Sequence, residues 1–345
     1  MRYFGHFSLS QSTALAATVV AVNPLRRLLL AGAAVLALSA QAQTTPPLIA
    51  IVNFGDHPAL RETVDGFKQK MTALGRVEGK DINYDYQHVN FDRTLIPQML
   101  QRAQSKNPSL VFSITTGVTQ ATVRGISDKT IPIVFGSVVD PVVAKIVPAW
   151  SGGSPTYAGA SMLPDFDLAL AFVKQVAPGA KRVGTLFNPG EDNDTTNIEL
   201  ITKSAKAAGL ELVTVPVDNA ADIPVRLQSM VGKVDVVYLI QSNVIQTSMP
   251  VVAQVAQRLK LAVINSVYDP ALKDQLAGFY AVSYRRNGEH AATIADRILK
   301  GTKPADIPVY VPKGDDFVPL VSTKGLAAIG RSVPDALKNS PWLIP

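Results

Sequence analysis

The segment from Val183 to Asp194 constrains this chain more than any other. Val183-Gly-Thr-Leu-Phe187 is short, apolar and partly β-branched, the pattern of a parallel strand covered on both faces. Asn188-Pro189-Gly190 is turn chemistry, because Pro sets one φ and Gly permits φ > 0. Asp192 or Asp194 can then cap a helix that runs to about Ala208. A strand that stops and opens into a helix is the unit of an open α/β sheet, where ligands gather because free backbone N–H groups point there. An ordinary strand-to-helix turn has the same local chemistry. What favours a site is repetition, since other strand ends in the chain also finish in small polar residues.

The same alternation runs through the whole sequence. Strands are predicted at Leu48–Phe54, Ile82–Tyr86, Leu110–Thr115 and Ile131–Phe135. Helices separate them, one of them marked by the stripe Leu60, Val64, Phe67, Met71 and Leu74. Such a series makes a parallel, right-handed α/β unit. Trp150–Pro155 is a loop of Gly, Ser and Pro, and the short extended run Tyr157–Ser161 is the candidate first crossing to a second unit. That unit repeats the order, with strands at Val183–Phe187, Leu210–Val217, Val234–Leu239, Leu261–Ile264 and Gly278–Val282. A helix follows over Arg286–Lys300, and Pro304–Pro312 is a further candidate crossing. The expected fold class is α/β: two similar lobes with parallel sheets, joined by a hinge of crossing segments.

Composition narrows the function. With 47% hydrophobic and 17% charged residues the chain is globular. It has no cysteine, which excludes disulfides, a thiolate nucleophile, a cysteine-based zinc site and a diacylglyceryl anchor. Arg26-Arg27, the apolar run Leu28–Ala40 and the small-x-small site Ala40-Gln41-Ala42 form a cleavable export signal over residues 1–42, with Gln43 as the new first residue. The run is too short for a membrane anchor, which takes roughly 20 apolar residues. The expected location is the periplasm. Residues 1–42 hold three of the 33 basic residues and no acid, which leaves 30 against 27 in the remainder. No basic stripe stands out, which argues against nucleic acid as a partner.

The polar strand exits are Asp56-His57, Thr115-Thr116, Ser137 with Asp140, Asn188 with Glu191 and Asn193, Gln241-Ser242-Asn243, and Asn265-Ser266 followed by Tyr268. In a two-lobed protein all of them point into one cleft. The candidate ligand-binding residues are His57, Thr115, Thr116, Ser137, Asp140, Asn188, Glu191, Asn193, Gln241, Asn243, Ser266 and Tyr268. They are hydrogen-bonding groups, mostly neutral, and suit holding a small polar molecule more than breaking bonds. Bland readings stand beside them: His57 as a loop histidine, and Asp140 as a helix cap. The aromatic residues Phe54, Phe135, Tyr268, Tyr280 and Tyr284 could stack on a planar ligand or pack the hinge. No nucleophile elbow, zinc-protease motif, phosphate loop or dinucleotide fingerprint is present. The reading is a non-enzyme with no catalytic residues, no metal and no cofactor.

Five stretches narrow this further: Gly75-Arg-Val-Glu-Gly79-Lys-Asp-Ile; Ile131-Pro-Ile-Val-Phe135 with Asp140-Pro141; Arg182 to Glu191; Gly232-Lys-Val-Asp235; and Leu299-Lys-Gly301-Thr-Lys-Pro304-Ala-Asp-Ile-Pro308. In that order, with the tail Thr323–Gly330, they resemble the ABC transporter substrate-binding family that includes tryptophan- and tyrosine-binding members. The resemblance covers about residues 48–338. It implies two Rossmann-like lobes, at about 46–157 plus 279–303 and 158–278 plus 304–345, closing on a ligand as periplasmic binding proteins do. It also implies a monomer that captures a small solute and delivers it to a membrane permease with its ATPase. The alternative is a ligand-sensing module that presents solute to a membrane-bound signalling protein. In the family the Thr-rich exit looks like Thr115-Thr116 with Gln120 here, and the second-lobe helix opening like Glu191–Asp194. Relatives often carry acids where Ser242 and Val267 stand, and a Ser where Asp194 stands. Acids there are natural partners of an α-ammonium group, so these departures point to a ligand other than an α-amino acid.

Overall fold

The computed structural model describes residues 45–345; the predicted export signal at 1–42 lies outside the described residues. Two sheets organise the chain. The first has five parallel strands: β1 (Leu48–Asn53), β2 (Asn83–His88), β3 (Leu110–Ile114), β4 (Ile133–Val138) and β5 (Tyr157–Ser161), in the order β2-β1-β3-β4-β5. Alternation of side chains explains why β1 is apolar throughout. Ile49 and Ile51 enter one core with Phe67 and Phe112, while Ala50 and Val52 enter another with Met99 and Val111. Helix α1 (Pro58–Ala73) lies on the first face, and α2 (Ile96–Ser105) and α3 (Thr116–Gly125) on the second.

The second sheet holds β6 (Arg182–Phe187), β7 (Glu211–Pro216), β8 (Val236–Leu239), β9 (Val263–Asn265), β10 (Gly278–Val282), β11 (Phe317–Ser322) and β12 (Leu343–Ile344). Its order is β12-β11-β10-β9-β8-β6-β7, with only the β10–β11 pair antiparallel among the described pairs. Helices α4 (Phe166–Val176), α5 (Asp192–Ala207), α6 (Ile223–Gln228), α7 (Asn243–Gln246), α8 (Met249–Arg258) and α10 (Thr323–Ala328) serve this lobe.

The intervening helix α9 (Tyr284–Leu299) returns to lobe one and packs on α1. Two glycines permit the approach. A Cβ at Gly66 would lie 2.1 Å from the Arg285 carbonyl oxygen, and one at Gly288 would lie 2.0 Å from that of Thr63.

The crossings fall a few residues later than the sequence reading puts them. Tyr157–Ser161 is a fifth strand of lobe one, paired with β4, so the chain leaves at Met162. Its small residues have a packing cause: a Cβ at Gly159 would lie 2.4 Å from the Phe135 ring. The segment Phe279–Val282, assigned by sequence to lobe one, belongs to β10 in the second sheet. Residues 304–310 remain with lobe one, where Ile307 joins the core and the Tyr310 N–H bonds the Gly159 carbonyl at 3.1 Å.

One buried carboxylate binds the hinge together. Asp316 accepts from Arg286 Nε at 2.8 Å, His290 Nε2 at 3.1 Å, the Tyr310 hydroxyl and the Lys313 N–H at 3.0 Å. Burial pushes its pKa up, but these donors outweigh burial and hold it at about 2.

Candidate functional site

The C-terminal ends of both parallel sheets face one cleft, as strand order and strand-to-helix turns require. Lobe one builds its wall largely from backbone geometry. Thr115, at the exit of β3, holds φ 80° and ψ 154°, a region that favours glycine, and Thr116 opens α3 beside it. Ser137 sits at φ 54° where β4 loses register with β5. Its N–H donates to Asn287 Oδ1 at 2.8 Å, and its hydroxyl lies 3.0 Å from that of Thr63. Asn90 and Phe91 also take positive φ, 49° and 66°. That turn lays the Phe91 ring over Gly55, where a Cβ would be 2.4 Å from the ring, and edge-on to Phe54 at 5.5 Å.

His57 caps α1. Its Nδ1 accepts the Ala59 N–H at 3.2 Å, which leaves Nε2–H to donate to the Gln246 carbonyl at 3.2 Å on the opposite lobe. Burial pushes its pKa below the ordinary imidazole value, so the neutral ring that both contacts need is favoured.

Lobe two builds its wall from side chains that hold one another. Glu191 is buried and takes four donors: Asn243 N–H at 3.0 Å, Asn243 Nδ2 at 2.7 Å, Asn193 Nδ2 at 3.3 Å and Val244 N–H at 3.2 Å. It thereby caps the short α7. Asp194 is fully buried and accepts the Asn188 N–H at 2.6 Å and Asn193 Nδ2 at 2.8 Å. Burial first, then the nearby Glu191 charge, raise its pKa well above the usual carboxylate range. Gln246 and Asn265 exchange amide hydrogen bonds at 2.9 and 3.1 Å.

The lobes touch directly. Besides His57 to Gln246, Arg93 Nη1 donates to the Gly190 carbonyl at 2.9 Å and Gln120 Nε2 to Asp192 Oδ2 at 2.9 Å. Closure leaves two inner cavities of about 20 Å³ each, room for roughly one water apiece, and a more open outer recess of about 320 Å³. The inner pair brings together seven of the sequence-predicted residues: His57, Thr115, Thr116, Ser137, Asn193, Gln241 and Asn243. Asn188 and Glu191 line the outer recess with Phe54, Phe91 and Arg93.

Three predicted residues line none of these spaces. Asp140 accepts the Val142 and Val143 N–H groups, both at 2.9 Å, and so caps its own turn. Tyr268 packs edge-on against Phe279 at 5.2 Å. Ser266 is buried outside these spaces, its hydroxyl without a protein partner. Of the aromatic candidates Tyr284 reaches the inner cavities, Phe54 reaches the outer recess, and Tyr280 stacks on Phe317 in the core.

Sequence reasoning missed Phe91, Arg93 and Asn287. The Asn90-Phe91 pair carried a faint signal, because asparagine tolerates the left-handed region. Asn287 lies in the first turn of α9 and gave none. Among the described residues no group of three His, Cys, Asp or Glu is placed to hold a metal ion.

Residues 48–340 match the profile of the family described as ABC transporter substrate binding protein. The chain belongs to that family. Among its curated relatives is a tyrosine-binding protein of Clostridioides difficile, 29% identical over 261 residues, covering 76% of this chain and 75% of the relative. A Vibrio cholerae crystal structure of a conserved domain protein superposes with TM-score 0.78 at 27% identity, covering 84% of this chain and 97% of that one. A Streptococcus pneumoniae domain in complex with L-Trp gives 0.80 at 22% identity, covering 87% and 100%, a likeness of fold. A ligand-free, open substrate-binding protein of Clostridium difficile gives 0.67 at 27% identity, covering 86% and 99%. The two-lobed α/β fold expected from sequence is thus the fold of this substrate-binding family.

Proposed function

We propose that this protein captures a small polar solute between its lobes in the periplasm and delivers it to the permease of an ABC importer, which a separate ATPase drives. The observation that carries this reading is a pair of buried polar side chains without protein partners, Thr116 Oγ1 from lobe one and the Gln241 amide from lobe two, lining one cavity in the cleft. Buried polar groups are nearly always hydrogen-bonded, so groups left over in a cleft mark where a ligand completes the count. The likeness to a tyrosine-binding protein supports an organic solute of that size class. Closure is a population shift, and its extent equals the solute's preference for the closed form.

The test is a thermal-shift screen of residues 43–345 against amino acids, aromatic acids, amides, nucleosides and small sugars, with small-angle scattering on any hit. A solute that binds only the folded protein stabilises it by about 2.7 kcal/mol at a hundredfold excess over Kd. A hit that also compacts the particle supports capture by closure. The absence of any stabilising solute, together with a scattering profile that no solute changes, would remove the reading.

A further inference from the structure

The inner cavities carry an unusual combination: much hydrogen-bonding capacity and no free charge. None of their lining residues among those described is Asp, Glu, Lys or Arg. Gln241 lines both, is only 7% exposed, and has neither Nε2 nor Oε1 bonded to protein. Across from it Thr116, 4% exposed, holds a hydroxyl equally without a protein partner. The Asn193 amide nitrogen, by contrast, is turned onto the Gln241 carbonyl at 3.0 Å and onto the two acids.

Resting on the proposed function, we propose that the captured solute is a small uncharged molecule presenting a donor and an acceptor side by side, the edge of a carboxamide, lactam or imide, held head-on by the Gln241 amide and completed by the Thr116 hydroxyl. A primary amide is complementary to another amide: Nε2–H donates to the solute carbonyl while Oε1 accepts its N–H. A carboxylate offers Oε1 no donor, and no Lys or Arg lines the inner cavities to balance its charge. An ammonium offers Nε2 no acceptor, and the two nearby acids line neither inner cavity and already accept six hydrogen bonds from protein groups. Either charge would be desolvated in the closed cleft without a partner. Leu60, Val139, Met162 and Tyr284 are the apolar lining available to the rest of the molecule; at about 20 Å³ the cavity admits only a water, so a solute of this size is seated with the lobes further apart than in this structure.

Three matched pairs provide the probe, read by thermal shift and calorimetry on the full mature chain: nicotinamide against nicotinate, uracil against orotate, and 2-pyrrolidinone against 4-aminobutyrate. At least one uncharged member is expected to bind, with its charged counterpart more than about tenfold weaker, because nicotinate and 4-aminobutyrate leave the polar edge unpaired and orotate, which keeps the imide edge, brings a carboxylate without a partner. A second measurement needs no ligand. Gln241→Leu, which removes an unpaired buried amide, is expected to leave the empty protein as stable as wild type or more so, and to lose the response to the uncharged probe; Gln241→Glu is expected to lose the response too. Equal or tighter binding of a charged member would overturn the proposal, as would a Gln241→Leu protein that melts lower yet binds undiminished. No response to any of the six also overturns it. If amino acids or sugars still bind in the broader screen, only this inference falls; if nothing binds there either, the capture reading falls with it.

Discussion

The two walls of the cleft reach similar surfaces by opposite means. Lobe one bends its backbone: Thr115, Ser137 and Phe91 all hold positive φ, and each presents a side chain that an unstrained chain would aim elsewhere. Lobe two keeps ordinary backbone at Glu191 and Ser242, both extended, and fixes its wall through a lattice of carboxylates and amides. Strain is stored where a neighbouring core over-determines it, and the five-stranded sheet of lobe one, apolar on both faces, does that. A lattice needs every member, so lobe two is the less forgiving wall.

The sharpest way to break this contrast is Glu191→Ala. It leaves the part-buried donors of Asn243 and Val244 without their acceptor and removes one of three acceptors from Asn193 Nδ2, and is expected to cost about 2 kcal/mol, read by denaturant unfolding. An unchanged midpoint would show that lobe two is not a lattice. The mirror experiment is Thr115→Gly, which removes the positive-φ strain and is expected to stabilise by about 1 kcal/mol while weakening solute capture. Loss of stability there would contradict the backbone account of lobe one.

Titration sets the walls against each other more gently. Asp194 has a folded pKa above the usual value, so the folded protein holds that proton more tightly than the unfolded chain. Stability therefore falls as pH rises from the ordinary carboxylate value towards the raised one, and Asp194→Asn is expected to flatten that slope. His57 has the opposite sign. Its folded pKa is lowered, so stability is lost as pH falls from the ordinary imidazole value through the lowered one, and His57→Phe is expected to remove this dependence. Melting curves for wild type and both variants from mildly acidic to neutral pH check both slopes. The smallest effect is expected of Arg93→Ala, which breaks an exposed lobe-to-lobe hydrogen bond and is expected to shift solute affinity by less than about fivefold, measured by calorimetry.

The elements legible in sequence were those with a strong period. β10 begins and ends at the residues the pattern predicts, and β1 differs by one. The misreadings have physical causes. β5 is Tyr-Ala-Gly-Ala-Ser because it packs under the Phe135 ring, and small residues carry no strand signature. Residues 304–310 are Pro-rich yet feed lobe one's core through Ile307 and Val309. Strand-end chemistry located seven residues of the inner cleft, because in a parallel sheet the position of a side chain follows from where its strand stops. It could not separate residues that face the cavity from those that cap a turn, such as Asp140, since both need an oxygen at the same place in the chain. Nor could it find Asn287, whose role depends on a lobe-one helix supplied from a distant part of the sequence.

That asparagine joins two functions at one side chain. Its Oδ1 takes the Ser137 N–H in the cleft wall, while its Nδ2 donates to the carbonyls of Ala160 and Ser161, where the chain first leaves lobe one. The adjoining turn of the same helix grips Asp316 in the third crossing through Arg286 and His290, and the second crossing runs directly into it. The start of α9 is therefore a fulcrum. One short stretch of helix thus ties the cleft wall at Ser137 to the points where the chain passes between the lobes.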